Sequence, residues 1–279
     1  MVPTIAVLDG PVLAGPALLL GLFDLVILTN RALCFLSGPR MVSRFTGVEV
    51  DPARLGGPAT HARISGLASL VVPDLAAAQR TVADILSHLP RSCDELPRRA
   101  ISDDPVDRPT HRMAELLPAT ASGAYDVRDM IAEVVDDGRL IELRRDWASQ
   151  MVTCLARIAG HPVGIVANQP CVMAGTIDIA ASQKAARFVT FCDAFNLPIV
   201  TFVDTPGFMP GKDLEWRGMI RHGAELAFAY AEATVPRISL VLRKAMGGAY
   251  IVMDSKRMGG DICLAWPSAE VAVMGAPGA

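Results

Sequence analysis

Aromatic residues are scarce in this chain: Phe, Trp and Tyr make up 5% of its 279 residues. That argues against the stacking platforms of single-strand nucleic-acid binders. No charge sign dominates either. Twenty-six Lys and Arg stand against 29 Asp and Glu, a formal net charge of −3. No basic field therefore points to nucleic acid or to an acidic membrane. Long apolar runs are missing too. Residues 10–28 come nearest, but Asp9 and Asp24 enclose fourteen residues, and Gly and Pro interrupt those. A spanning helix takes roughly 20 apolar residues. No basic stretch precedes the segment, so no signal peptide is expected and the segment belongs to a core.

Signatures of several chemistries are also missing. The six cysteines (Cys34, Cys93, Cys154, Cys171, Cys192, Cys263) form no C-x-x-C pair. They are expected to be reduced, buried and inert in a cytoplasmic protein. The five histidines show no ligand spacing, so no metal site is expected. Asp204-Thr205-Pro206-Gly207 resembles the magnesium-and-switch element of GTPases, but no G-x-x-x-x-G-K-[ST] loop accompanies it. Its other reading is a loop at the carboxyl end of a parallel strand, where ligands bind in open α/β sheets. Ser239 and Ser255 lie outside any nucleophile elbow. Asp178, Asp193, Asp213 and Asp261 each lack a second carboxylate and read as helix caps or surface charges. Arg217, Arg221 and Glu225 fall four apart and read as a solvated helix face.

What is present is apolar and regular. Hydrophobic residues are 51% of the chain, enough for a large core. Strands are predicted at 4–8, 25–29, 33–36 and 70–72, and helices near 15–22, 39–46, 58–66 and 74–89. Residues 90–124 carry five prolines, many charges and little periodicity, and read as a linker or arm between two domains. Beyond it, a helix is predicted over 125–135, with strands at 140–143 and 152–158. After Gly160 strands (163–167, 199–203, 238–243, 271–274) alternate with helices (180–195, 215–233, 248–256). Nearly continuous apolar strands in that order imply a parallel sheet covered on its faces, an α/β fold.

Two glycine turns follow strands and precede helices, one in each half: Gly10–Gly15 and Gly247-Gly248-Ala249. Amides at such a turn have no helical partner and carry partial positive charge. They can hold an oxygen that becomes anionic in a transition state. The duplication suggests two related halves, each with an amide-lined pocket.

Several stretches then occur in one order: 163–170, 193–198, 202–208, 229–236, Arg243-Lys244-Ala245-Met246-Gly247-Gly248-Ala249-Tyr250 and Leu264-Ala265-Trp266-Pro267. In these the chain resembles the carboxyltransferase (beta) subunit of biotin-dependent acyl-CoA carboxylases, the acetyl-/propionyl-CoA type. Gly10-Pro11, Asp24, Ser37-Gly38-Pro39, Gly56-Gly57 and His61 extend the likeness into residues 1–89. The resemblance implies two crotonase-like domains built from ββα spiral units. Residues 1–89 would be the later part of the N-terminal domain, 90–124 the arm and 125–279 the C-terminal domain, with both ends of the family's chain missing. It implies carboxyl transfer from carboxybiotin, brought by a separate carrier (alpha) subunit, to the α-carbon of a short-chain acyl-CoA. Both partners pass through oxyanions, hence two amide pockets. By position, Gly248 and Ala249 match the biotin-side oxyanion hole, and Thr205, Pro206, Gly207, Phe208, Gly247 and Tyr250 match the walls of that pocket. Ile251 matches the acyl end, and Ala14 and Gly15 match the acyl-CoA oxyanion hole. The family commonly has Gly-Gly-Ala where this chain has Ala14-Gly15-Pro16. Ala tolerates positive φ poorly, and Pro has no N–H. The family also implies a dimer of trimers. Two other readings share the resemblance: the alpha subunit of a biotin-dependent decarboxylase, and a non-catalytic assembly partner.

Overall fold

A computed structural model describes residues 1–118, 120 and 123–274. Ala119, Ala121 and Ser122 of the Pro-rich stretch, and residues 275–279 of the expected second domain, lie outside the described residues. The chain divides into two compact units. The first holds Val2–Ser87 with Leu143–Ala148, and the second holds Met1, His88–Glu142 and Ser149–Ala279. The fold is α/β and crotonase-like.

The first unit contains β1 (Ile5–Leu8), β2 (Pro11–Leu13), β3 (Leu25–Thr29), β4 (Leu33–Phe35) and β5 (Leu70–Val72). β1, β3 and β5 form one parallel sheet in the order β1-β3-β5, and β2 and β4 form a second parallel pair. β3 is Leu-Val-Ile-Leu-Thr, buried at every position. Its apolar side chains fill both faces, and Val26, Leu28, Leu8, Leu20 and Cys34 make the core. Residues 143–148 join this unit through specific contacts. The Arg144 N–H donates to the Ser69 carbonyl (2.8 Å), and Arg144 Nε donates to the Gly66 carbonyl (3.0 Å). The Trp147 ring lies where a side chain at Gly66 would be, and Gly66 has φ 68.

The second unit carries β6 (Leu140–Leu143), β7 (Met151–Ile158), β8 (His161–Asn168), β9 (Ile199–Thr205), β10 (Arg237–Met246), β11 (Ile262–Ala265) and β12 (Glu270–Ala272). Their order is β11-β10-β9-β8-β7-β6, with β12 also on β10. β8 through β12 pair in parallel, as the alternating strands and helices predict. β7 and β8 instead form an antiparallel hairpin. Ala159 (φ 51) and Gly160 (φ 79) supply two positive φ values at its turn, and Asp136 accepts both of their N–H groups at 2.7 Å. Helix Ile179–Ala194 packs on β7, β8 and helix Met219–Glu232, whose Tyr230 hydroxyl meets the Thr201 hydroxyl of β9. Gly164 lets the first come close: a side chain there would meet Cys192 Sγ and the Phe188 ring.

Several predicted boundaries shift. The helix predicted over 215–233 is two helices, Lys212–Trp216 and Met219–Glu232, broken by Gly218 at φ 93. The helix predicted over 248–256 is Gly247–Val252 followed by a 3-10 turn at Lys256–Met258. β2 and β11 are additional strands. The Pro-rich stretch contains the helix Arg112–Leu116, and its Met113 enters the second unit's core with Val127, Met130, Ile131, Val152 and Phe202. The Ala100 N–H donates to the Gly160 carbonyl, and Asn196 Nδ2 donates to the carbonyls of Cys93 and Glu95. All six cysteines are free thiols, but only Cys34, Cys154 and Cys192 are buried; Cys93 and Cys263 are partly exposed and Cys171 is exposed. Burial pushes the Cys34 thiol up to about 11. Among the described residues no helix is long and apolar enough to cross a membrane.

The two units repeat one motif. In the first, β1 and β2 run on through Asp9-Gly10, then come helix Gly15–Leu19, β3 and β4. In the second, β10 continues into helix Gly247–Val252, then β11 and β12. β1 pairs with β3 and β2 with β4. Likewise the first half of β10 pairs with β11 and its end with β12. The glycine turn therefore sits at the same place in each repeat.

Candidate active site

At the carboxyl edge of the second unit's sheet, the segments after β8, β9 and β10 converge. The Ile177 N–H donates to the Gly207 carbonyl (3.2 Å), and the Met209 N–H donates to the Ile177 carbonyl (2.9 Å). The Phe208 ring reaches from this segment to the next. A Cβ placed on Gly248 would lie 3.4 Å from it, and one on Gly223 would lie 3.1 Å from it. Thr205, Gly207 and Phe208 thus share one corner with Gly247 and Gly248. Thr205 is buried, its hydroxyl donates to the Gly207 carbonyl (3.3 Å), and Pro206 beside it is exposed. The Tyr250 hydroxyl lies 4.0 Å from Cys263 Sγ, and burial raises its pKa. Ile251 follows on the same helix and is exposed.

Gly247 has φ 57, and a Cβ there would lie 2.9 Å from the Val273 carbonyl oxygen, so only glycine fits without strain. The chain then enters the helix. Among the described residues no acceptor engages the N–H groups of Gly248 or Ala249. Gly248 is exposed, while Ala249 is buried and anchors the turn. Across the corner, Met173, Ala174 and Gly175 hold φ of 48, 54 and 76 in succession. Left-handed backbone at non-Gly residues costs of order 1–3 kcal/mol each and gathers at functional sites.

Behind this corner lies a buried polar cluster that motif reading does not reveal. Asp204 Oδ2 accepts from Tyr125 Oη (2.8 Å) and Arg243 Nε (3.1 Å), and Oδ1 accepts from the Lys244 N–H (3.1 Å). Burial raises the Asp204 pKa, and the Arg243 guanidinium opposes that rise. Asn168 Oδ1 accepts the Asp204 N–H at 3.2 Å. Further along, Asp254 pairs with Arg237. Burial lifts the Asp254 carboxyl to about 6 against the pull of Arg237. The four single aspartates have ordinary roles. Asp178 caps helix Ile179–Ala194, Asp193 accepts the N–H groups of Thr234 and Val235, Asp213 pairs with Arg217, and Asp261 accepts the Arg237 N–H. Among the described residues no group of three His, Cys, Asp or Glu could hold a metal.

In the first unit Ala14 has φ 59 and ψ −129, a conformation suited to glycine. Its N–H donates to the Phe35 carbonyl at 3.0 Å. That amide is spent, which corrects its sequence assignment as an oxyanion donor. The repeat explains why. Leu13 pairs with Phe35 as Met246 pairs with Ala272. Ala14 and Gly247 follow, each with φ near 60. Gly15 therefore stands where Gly248 does, and Pro16 where Ala249 does. Gly15 has no acceptor among the described residues. Pro16 has no N–H to offer. Ala14, Leu13, Phe35, Gly38, Arg40 and Arg44 help line a cavity of about 830 Å³.

The sequence matches the family model "Carboxyl transferase domain" over residues 1–279. It is 46% identical over 279 residues to the methylmalonyl-CoA carboxyltransferase 12S subunit of Propionibacterium freudenreichii subsp. shermanii, covering 100% of this chain and 53% of that protein. It is 44% identical over 280 residues to the propionyl-CoA carboxylase carboxyltransferase subunit of Haloferax mediterranei, covering 100% and 54%. The crystal structure of a transcarboxylase 12S hexamer assembly, with hydrolysed methylmalonyl-coenzyme A bound, superposes with a TM-score of 0.97 at 45% identity. It covers 99% of this chain and 54% of that one. The chain spans about half the length of these relatives.

Proposed function

Because the chain belongs to the carboxyl transferase domain family, we propose that it transfers a carboxyl group from carboxybiotin to the α-carbon of a short-chain acyl-CoA. The observation that carries this reading is the pair of unengaged amides at Gly248 and Ala249, set beside the Phe208 ring. Biotin would supply the carboxyl group in activated form, delivered by a separate carrier subunit. The corner fits a flat, weakly polar ring with one oxygen that gains negative charge. Phe208 offers an apolar wall, Gly248 leaves the approach open, and the two unengaged N–H groups would donate to the oxygen. Positioned donors at such an oxygen are worth about 10²–10³ in kcat each. Thr205, Pro206, Gly207 and Tyr250 complete the walls, and Ile251 borders the acyl end. On the acyl side Gly15 supplies one amide for the thioester oxygen. Decarboxylation of a malonyl-type thioester runs the same chemistry backwards with the same groups. The chain would work in the cytoplasm as part of a homo-oligomer.

The test is biotin-dependent consumption of methylmalonyl-CoA, followed by chromatography of the CoA esters. Gly248→Pro removes one donor at a position in the first helical turn where proline is tolerated. The expected result is turnover in the parent and a loss of about 10²–10³-fold in the variant. An inactive parent, or a variant with full activity, would overturn the reading. A second reading, a non-catalytic assembly partner, draws on the spent Ala14 amide and Pro16. It is favoured if an inactive parent still co-purifies with a biotin carrier subunit.

A further inference from the structure

The buried cluster around Asp204 takes no part in the amide chemistry, yet it governs where the second turn stands. β9 and β10 run in register up to Val203↔Val241 and resume at Thr205↔Ala245. Between these points β9 advances by two residues (203 to 205) and β10 by four (241 to 245). Continued one-to-one pairing from Val241 would set Met246 opposite Phe208. The slip holds Met246 back by two residues, about 7 Å at the rise of a parallel strand. The turn begins at the next residue, so the slip fixes its place along the sheet.

Asp204 is the β9 residue inside the slip. Its carboxylate takes the Lys244 N–H (3.1 Å) and Arg243 Nε (3.1 Å), both from the displaced stretch of β10. Tyr125 Oη donates to it from a segment 79 residues earlier in the chain, and the Arg243 guanidinium lies 5.2 Å from the Tyr125 ring centre. Arg243 also donates to the carbonyls of Gly123 and Thr120. Asp204 is 1% exposed and Arg243 8%. A buried carboxylate deprived of these donors is strongly disfavoured. A bulge leaves backbone groups without ladder partners, and here the carboxylate satisfies one of them.

We propose that Asp204 is a positioning residue for the second turn: through Arg243 and Lys244 it fixes the slip in β10, and with it the height at which the Gly248 and Ala249 amides stand. The kinetic part of its test rests on the carboxyl-transfer reading, and the structural part does not. Asp204→Asn keeps the size of the side chain and removes the charge that holds Arg243. Amide hydrogen exchange is measured across the sheet. The expected result is exchange about tenfold faster at Lys244–Met246, the strand end that Asp204 and the ladder hold, with the β7–β8 hairpin unchanged. In the biotin-dependent assay kcat falls about tenfold while KM for the acyl-CoA holds within about twofold. Arg243→Lys keeps the charge but not the planar fork, so it shifts both readouts the same way, and Tyr125→Phe does so least. Unchanged exchange at Lys244–Met246 in Asp204→Asn, or a uniform rise over the whole sheet, overturns the proposal. Should Asp204→Asn not fold, exchange in Arg243→Lys decides by the same criterion. A parent without turnover would sink the carboxyl-transfer reading, while the exchange result would still judge this one.

Discussion

The two turns share a topology and differ in what their amides can do. In each, a strand ends against a parallel partner and the next residue takes φ near 60: Ala14 in one, Gly247 in the other. Two residues then open a short helix. In the second unit both, Gly248 and Ala249, keep an N–H with no acceptor among the described residues. In the first, Gly15 keeps one and Pro16 has none. The backbone path is thus retained while one donor is lost, and the residue at positive φ has gained a methyl group. Chain geometry and amide chemistry vary separately here, so a shared fold does not by itself guarantee two equivalent pockets.

Five changes would break or sharpen this contrast. The largest effect is expected under the first turn. A Cβ on Gly56 would lie 2.1 Å from the Cys34 carbonyl oxygen, in the strand whose end holds the Ala14 amide. Gly56→Ala should cost about 3 kcal/mol or more by overpacking. The matching change in the second unit, Gly223→Ala, meets the Phe208 ring at 3.1 Å and should cost about 1 kcal/mol. Urea denaturation of both variants checks the pair, and equal losses would remove the distinction. Next comes Pro16→Ala, which restores an N–H to the first turn. Steady-state turnover should rise by up to about 10²-fold. No rise would show that the missing donor does not limit the reaction.

A smaller effect concerns how the second turn's helix is tied down. Just past its end Asp254 pairs with Arg237 and has a folded-state pKa of about 6, against 3.8 for an ordinary aspartate. The folded carboxyl takes up its proton first, so this group's contribution to stability grows as pH falls through 6 and is lost as pH rises. Between pH 7 and 5 the gain should be about 1 kcal/mol. Denaturant midpoints for the parent and Asp254→Asn should therefore differ in pH slope over that window, and parallel slopes would refute the assignment. The smallest is Ala14→Gly. Relief of strain at φ 59 is worth about 1–3 kcal/mol and is partly offset by the extra freedom of glycine in the unfolded chain. A net gain of about 1 kcal/mol in thermal unfolding is expected. A net loss would mean that Ala14 is not strained.

Much of this architecture was legible in the amino-acid sequence because buried parallel strands announce themselves as continuous apolar runs. Leu25–Thr29 and Ile199–Val203 are examples, and both lie where that pattern puts them. β11 escaped because Ile262 and Leu264 are largely exposed on a short edge strand. The break at Gly218 escaped because a single glycine is also tolerated inside a helix. Glycine spacing points to both turns, but it cannot reveal that the Ala14 amide is consumed by Phe35, 21 residues away. The Asp204 cluster was hidden for the same reason. Its donors lie 79 and 39 residues off, and no local pattern joins them. Local chemistry could be read locally, while anything set by distant partners needed the fold.

β10 has one further consequence, for the order in which the molecule can be made. The end of the strand, Lys244–Met246, is backed by Glu270–Ala272, and Gly247 sits against the Val273 carbonyl. A nascent chain that has just presented Gly247 to the ribosome exit has the residues of the turn but not its support. More than twenty further residues must emerge before the parallel partner can dock. At synthesis rates of about 5–20 residues per second, the turn stays unformed for about a second or more after its own codons are read. The β7–β8 hairpin, by contrast, can close as soon as its second strand is out.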